Sequence, residues 1–278
     1  MTTILVTGAT GRVGRHVVQG LLEAGVGVRA LVRNPAAAGL PAKVEVAQGD
    51  IYDPAAVERA ASEVDAAFLL WPAFSADGAA EVVAALTKQV SRIVYLSALN
   101  VSDENPAASG VWGEIEVLLA DTDWTFLRAG GFMVNSQEWA EDIRTGDVVR
   151  TPSPQAGRSV IHERDIAEIA VQALLNDKHI GQKYALTGPE VVTLAEQIAI
   201  LADVLDKPLR IEEISPAEAE QAMLAQGADP ILAKSSTTYW SSLITNPEPV
   251  LPTLKTLLDR PALTYRDWAE EHADEFRA

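Results

Sequence analysis

Three glycines recur at the spacing Gly8-x-x-Gly11-x-x-Gly14, directly after the apolar run Ile4-Leu5-Val6 and directly before Val13, Val17, Val18, Leu21 and Leu22, which fall at helical spacing. A buried strand, a tight turn and a helix start present backbone N–H groups and the positive end of a helix to a pyrophosphate. Gly8 permits the turn, Gly11 lets phosphates approach the backbone, and Gly14 lets the helix sit close on a sheet. Thr10, Arg12 and Val13 share the loop and are candidate contacts. The bland alternative is a strand-to-helix turn that merely uses glycine, and the flanking strand and helix weigh against it.

Further candidates stand where later strands would end. Gly27 to Val32 reads as a second strand, followed at once by Arg33, Asn34 and Pro35. An acidic residue there would hold the ribose diol of NAD, whereas an arginine suits the 2′-phosphate of NADP. Arg33 therefore points to NADP, and Arg12 would press on the same phosphate from the other side; the other reading of each is a solvated surface charge. Asp50 and Ile51 follow a third strand, Val44 to Ala47, and would contact adenine. Leu70 and Trp71 close a fourth strand at the rim where cofactor and substrate meet. A fifth, Arg92 to Leu96, delivers Ser97 to that rim, as a polar contact or a turn cap.

Ser97, Asn100, Asn135 and His162 would be the donors for a developing oxyanion if the chain brings them together. Ser97 and His162 are the catalytic candidates; the other reading of His162 is a structural hydrogen-bonding group just before a helix capped by Asp165. Trp71, Trp112, Phe132, Met133, Trp139 and Trp240 would line a flat apolar pocket or serve as core.

The elements that position these residues follow from the hydrophobic pattern. Strands alternate with helices six times through Asp123 to Arg128, and right-handed crossovers then require a parallel, doubly wound α/β sheet. Residues 1–130 are expected to form a Rossmann dinucleotide-binding domain. Residues 131–278 are expected to form a smaller mixed α/β lobe on the substrate side, packed partly back on that sheet, with helices starting at Thr193 and Ser215 and a mainly helical tail.

Composition narrows the function classes. The chain has 278 residues, of which 39 are acidic and 22 basic, giving a formal net charge of -17. Such a surface repels nucleic-acid backbones and anionic lipid, so neither nucleic acid nor membrane is an expected partner. With no cysteine, disulfides, thiolate catalysis and Cys-type zinc sites are out, and no metal site is expected. The start carries no signal-like region, so the expected location is the cytoplasm. Oligomeric state has no signature here.

Thr7-Gly8-Ala9-Thr10-Gly11-Arg12-Val13-Gly14, Ala30-Leu31-Val32-Arg33-Asn34-Pro35, Val94-Tyr95-Leu96-Ser97 and Asp123-Trp124-Thr125-Phe126-Leu127-Arg128 together resemble the NmrA-like group of atypical short-chain dehydrogenases. The likeness continues through Ser159 to Ala167, Leu186 to Glu190 and Tyr265 to Trp268, so it spans nearly the whole chain. It implies a Rossmann fold and an NADP cofactor, with Ser97 at the position resembling the family's active-site serine. That group includes NADP-binding quinone reductases, aromatic ether reductases and non-catalytic redox sensors.

The sequence departs from its relatives in the proton relay. Orthodox short-chain dehydrogenases place a Tyr four residues before a Lys on the helix after the fifth strand. Here Tyr52, Tyr95, Tyr184, Tyr239 and Tyr265 are followed four residues later by Ala56, Leu99, Gly188, Leu243 and Ala269. Aligned on Ile115-Glu116, the Tyr position holds Ala108 and the Lys position Trp112, a core aromatic or a stacking surface. Hydride transfer to a quinone or other conjugated aromatic carbonyl tolerates that loss, because the anion formed has little basicity to quench. The expected function is thus an NADPH-dependent oxidoreductase of a small aromatic or quinone substrate. The alternative is a catalytically silent NADP(H)-binding redox sensor that acts through a protein partner.

Overall fold

The computed structural model describes residues 2–277, which form two compact units. The first unit comprises Met1–Gly130, Glu163–Leu186 and Lys255–Asp259, and the second Gly131–His162, Thr187–Leu254 and Arg260–Ala278.

The first unit is built on strands β1 (Thr3–Thr7), β2 (Gly27–Val32), β3 (Glu45–Gln48), β4 (Ala66–Leu69), β5 (Arg92–Ala98) and β6 (Asp123–Ala129). Two short strands of the second unit, β7 (Val148–Thr151) and β8 (Gly157–Arg158), intervene before β9 (Gln182–Leu186) returns to the first. The seven strands pair in parallel in the order β3-β2-β1-β4-β5-β6-β9. The order reverses beside β1, the switch point at which such sheets bind ligands outside their carboxyl ends. Every residue of β4 is buried, as a central strand covered on both faces requires, whereas β3 at the edge is largely exposed.

Helices α1 (Gly14–Glu23), α2 (Pro54–Ala61), α3 (Ala79–Thr87) and α4 (Val111–Leu118) supply the crossovers. α1 buries Val17, Val18 and Leu21, as their spacing predicts. Asp53 caps α2 by accepting from the Ala55 amide, with Pro54 at the first helical position. Among the described residues, no helix is long and apolar enough to cross a membrane.

In the second unit α5 (Ala140–Thr145) joins a core of Met133, Trp139, Ile143, Val160, Tyr265 and Trp268. After α6 (Glu163–Leu175) of the first unit and the short β10 (Val192–Thr193) come α7 (Leu194–Leu205), β11 (Arg210–Glu213), α8 (Pro216–Ala225) and α9 (Pro230–Ser242). The capping boxes at Thr193–Glu196 and Ser215–Glu218 form as the sequence predicts.

Three local readings change. α6 starts at Glu163, so Asp165 lies buried inside its first turn, where a carboxylate meets the positive end of the helix, and does not cap it. The third strand starts at Glu45 and runs through Gln48, one residue later than the sequence suggests. β11 is unanticipated: all four of its residues are exposed and it pairs only with β7, so it carries no alternating apolar signal.

Candidate active site

The glycine turn closes tightly at the carboxyl end of β1. Gly8 has φ of +65°, in the left-handed region, and its carbonyl accepts from the Gly11 amide at 2.8 Å. A Cβ on Gly14 would stand 2.1 Å from the Gly8 carbonyl oxygen, so α1 can begin there only without a side chain. In the first turn of α1 the Arg15 amide donates to the Gly11 carbonyl at 3.2 Å and the His16 and Val17 amides to that of Val13, so the helix grows directly out of the glycine turn and its positive end stands at the place where an anion would bind. Thr7 fixes the turn to the next strand: its hydroxyl accepts from the Leu70 amide at 2.8 Å and lies 3.2 Å from the Phe68 carbonyl. A Cβ on Gly8 would stand 3.4 Å from the Leu70 side chain. This cradle fits a dinucleotide pyrophosphate, with Thr10 and Arg12 exposed on the loop and Val13 buried beneath it.

Arg33 is exposed at the end of β2, next to β1 in the sheet. Arg33→Ala is expected to weaken NADPH binding by about 1–3 kcal/mol, the loss of charge-assisted hydrogen bonds to a phosphate, and to leave NADH nearly unchanged. Calorimetry with both nucleotides checks this; equal losses would remove Arg33 from the 2′-phosphate. Beyond β3, the Asp50 carboxylate accepts from the Tyr52 amide at 3.1 Å, and Ile51 packs on the sheet core. The Tyr52 ring meets buried Trp71 edge to face, with centroids 5.3 Å apart, and the Trp71 indole donates to the Ser75 carbonyl. Asp50 and Ile51 therefore follow the carboxyl end of β3, and Leu70 and Trp71 that of β4, two strands of one sheet with β2 and β1 between them.

Ser97 lies inside β5, next to Arg128 in the register with β6. Its hydroxyl donates to Glu116 on α4 at 2.6 Å. Arg128 donates to both oxygens of the same carboxylate, at 2.9 and 2.7 Å, and all three side chains are buried. Arg128 also donates to Asp103, in the loop after β5, as does Lys183 on β9. Hydrogen bonds from Lys183 and then Arg128 hold the Asp103 carboxyl below the ordinary carboxylate range. Neither Glu116 nor Arg128 is assigned a site role by the local sequence pattern. The signal that would have found them is a charge at the end of the apolar run Thr125-Phe126-Leu127-Arg128, which demands a buried partner.

The relay positions stay empty of acids. Ala108 is exposed, and half-buried Trp112 in the first turn of α4 packs against the sheet core. Phe74, in the loop after β4, meets Trp112 edge to face with centroids 5.9 Å apart. Tyr95, two residues before Ser97, is no substitute: it is fully buried, its hydroxyl finds no partner, and burial, then the Glu116 charge, push its phenol far up.

His162 belongs to the second unit and is wholly buried, with Nε2 3.6 Å from a Glu271 carboxylate oxygen and its ring 6.4 Å from that of His272. Phe132, Met133 and Trp139 lie in the same unit, the last two in its core. Asn100 is exposed in the loop after β5, and Asn135 is in the second unit. Among the described residues no cluster of His, Asp or Glu could hold a metal ion.

Comparison with known proteins places this arrangement. Residues 8–177 match the NAD(P)H-binding family. The chain is 38% identical to the (4-alkanoyl-5-oxo-2,5-dihydrofuran-3-yl)methyl phosphate reductase of Streptomyces griseus, over 98% of this chain and 99% of the relative. It is 34% identical to the NAD(P)H azoreductase of Xenophilus azovorans, over 99% of each. The Escherichia coli NADPH-dependent quinone oxidoreductase QOR2, solved in complex with NADPH, superposes with a TM-score of 0.78 at 25% identity, covering 96% of this chain and 99% of that one.

Proposed function

Because this chain belongs to the NAD(P)H-binding family and is an NAD(P)-dependent oxidoreductase, we propose that it moves hydride from NADPH to a quinone or another conjugated carbonyl compound without a Tyr–Lys proton relay. The observation that carries this is the pairing of an intact phosphate cradle at Gly8–Gly14 with relay positions that hold no proton donor of the Tyr–Lys kind, Ala108 and Trp112 standing there. When bound, the reduced nicotinamide supplies the hydride.

The chain's own residues bind and orient. Gly8, Thr10, Gly11, Arg12, Val13 and Gly14 grip the pyrophosphate, Arg33 selects the phosphorylated ribose, and Asp50 and Ile51 border the adenine. Leu70, Trp71 and Ser97 stand at the reacting end. His162 lies buried beside Glu271 and His272, and hydride transfer to such an acceptor draws no proton from it. An acceptor whose reduced form is a weak base needs no protein acid, since water protonates it after release. The Streptomyces griseus relative is named for an oxo-dihydrofuran bearing an alkanoyl group, and the solved neighbour for a quinone; both names describe carbonyl acceptors.

The test is absorbance at the reduced-nicotinamide band. With nucleotide saturating, oxidation of NADPH is expected to accelerate when para-quinones of increasing ring size are added. A flat trace across them, from protein shown to bind NADPH, would sink the reading.

A further inference from the structure

Arg158, on β8, presents a guanidinium most of whose N–H donors are uncommitted. Its side chain is 14% exposed, and among the described residues its one hydrogen bond runs from Nε to Glu248, at 3.3 Å. Buried donors are ordinarily paired, and Arg128, buried in the first unit, places three N–H groups on two carboxylates. Nη1 and Nη2 of Arg158 keep their hydrogens to give. Glu248 does not claim them: it also accepts from the Tyr239 hydroxyl at 2.7 Å and the Ser159 amide at 2.9 Å, so its charge is shared among three donors, of which Arg158 is the farthest.

The uncommitted end is held in place. The segment that carries Glu248 is tied to the β8 region: the Gly157 amide donates to the Leu243 carbonyl at 3.1 Å, the Glu248 amide to the Gly157 carbonyl at 3.1 Å, and the Ser159 hydroxyl to the Pro249 carbonyl at 3.0 Å. The fork itself lies against Gly131, the second residue after β6, whose carbonyl accepts from the Ile161 amide at 2.8 Å. A Cβ there would stand 2.0 Å from Nη2 of Arg158 and 2.8 Å from its Cζ, so the fork fills space that a side chain would take. All of these residues belong to the second unit.

We propose that Arg158, backed by Glu248 and seated on Gly131, is an oxyanion site of the second unit, and that the hydride acceptor is a carbonyl compound carrying a carboxylate or phosphate group which this fork holds. The inference rests on the oxidoreductase reading and deepens it by naming a feature of the substrate. Two oxygens of either group match the spacing of Nη1 and Nη2, a fit that an ammonium lacks. Nε stays with Glu248, so both the carboxylate that fixes the arginine and the ligand that it receives are served. With a formal net charge of -17 the chain repels anions at a distance, so one that binds reports a local cation. The group held there takes no part in the chemistry, and its binding orients the rest of the acceptor.

The experiment reads binding and turnover apart. The full-length protein is saturated with oxidised NADP, so that the glycine turn is filled, and titrated in a calorimeter with naphthyl phosphate, naphthoate and uncharged naphthylmethanol. At least one anion is expected to bind about tenfold or more tighter than the alcohol, and the order of the two anions decides between phosphate and carboxylate. Arg158→Lys keeps the charge and loses the fork, whereas Gly131→Ala keeps the arginine and displaces it. Each should weaken the favoured anion about tenfold in protein that still binds NADPH. Anions held no tighter than the alcohol by the wild type, or held as tightly by both variants as by the wild type, would overturn the proposal. In turnover with NADPH, a naphthoquinone bearing the favoured group should exceed its uncharged ester about tenfold in kcat/KM, through KM, and the ratio should fall toward one in both variants. Equal reduction of the charged and uncharged quinones by the wild type would overturn the proposal and leave the oxidoreductase reading standing. Arg158-dependent binding of the anions with no quinone reduced would keep the oxyanion site and remove the hydride reading.

Discussion

Gly14→Ala is expected to remove nucleotide binding while leaving a folded but weakened protein. The new methyl would lie 2.1 Å from the Gly8 carbonyl oxygen and 2.7 Å from its carbon, both backbone atoms that cannot rotate away. Either α1 backs off the sheet or the turn opens. Overpacking of this kind costs about 1–3 kcal/mol of stability, or more. The larger effect is on the ligand, because the turn sets the direction of every amide aimed at the phosphates. Losing two charge-assisted hydrogen bonds at about 1.5–3 kcal/mol each corresponds to roughly two to four powers of ten in Kd. Calorimetry with NADPH and thermal denaturation followed by circular dichroism read the two effects separately. A folded variant that binds NADPH as the wild type does would show that the Gly8–Gly14 contact does not shape the site.

Arg128→Ala carries the largest expected loss of stability. It would leave Glu116 buried, charged and bonded to Ser97 alone, at a cost of about 3–5 kcal/mol. Arg128→Met combined with Glu116→Leu removes both charges and fills similar volume, so the double variant should recover most of that loss. Denaturant unfolding of the two variants and the wild type provides the comparison. A single variant costing under about 1 kcal/mol, or a double variant no better than the single, would mean that the pair is not the buried ion pair its geometry describes.

Much of this molecule is written locally. The glycine turn, the all-apolar β4, the Asp53-Pro54 start of α2 and the boxes at Thr193 and Ser215 each depend on residues within a few positions of one another. Short-range spacing is therefore enough to read them. What sequence alone did not yield joins residues far apart along the chain. Ser97, Glu116, Arg128, Asp103 and Lys183 come from two strands, a helix, a loop and a strand more than fifty residues further on, and no periodicity links them. β11 was hidden for the opposite reason: an exposed two-stranded ribbon buries nothing, so its sequence bears no hydrophobic imprint. Asp165 resembles a cap because it is acidic and close to a helix start, but the helix already begins at Glu163, with Glu163, Asp165 and Ile166 buried.

The return of β9 to the first sheet has a bearing on biosynthesis. β6 finds its outer neighbour in residues 182–186, and α1 is flanked by α6 at 163–175, so both supports are translated only after the excursion that begins at Gly131. A nascent chain stalled near residue 130 would expose an unsatisfied strand edge on β6 and an apolar flank on α1, the surfaces on which chaperones act and aggregates grow. The nucleotide-gripping half is thus completed late on the ribosome, although its signature motif is among the first residues to emerge.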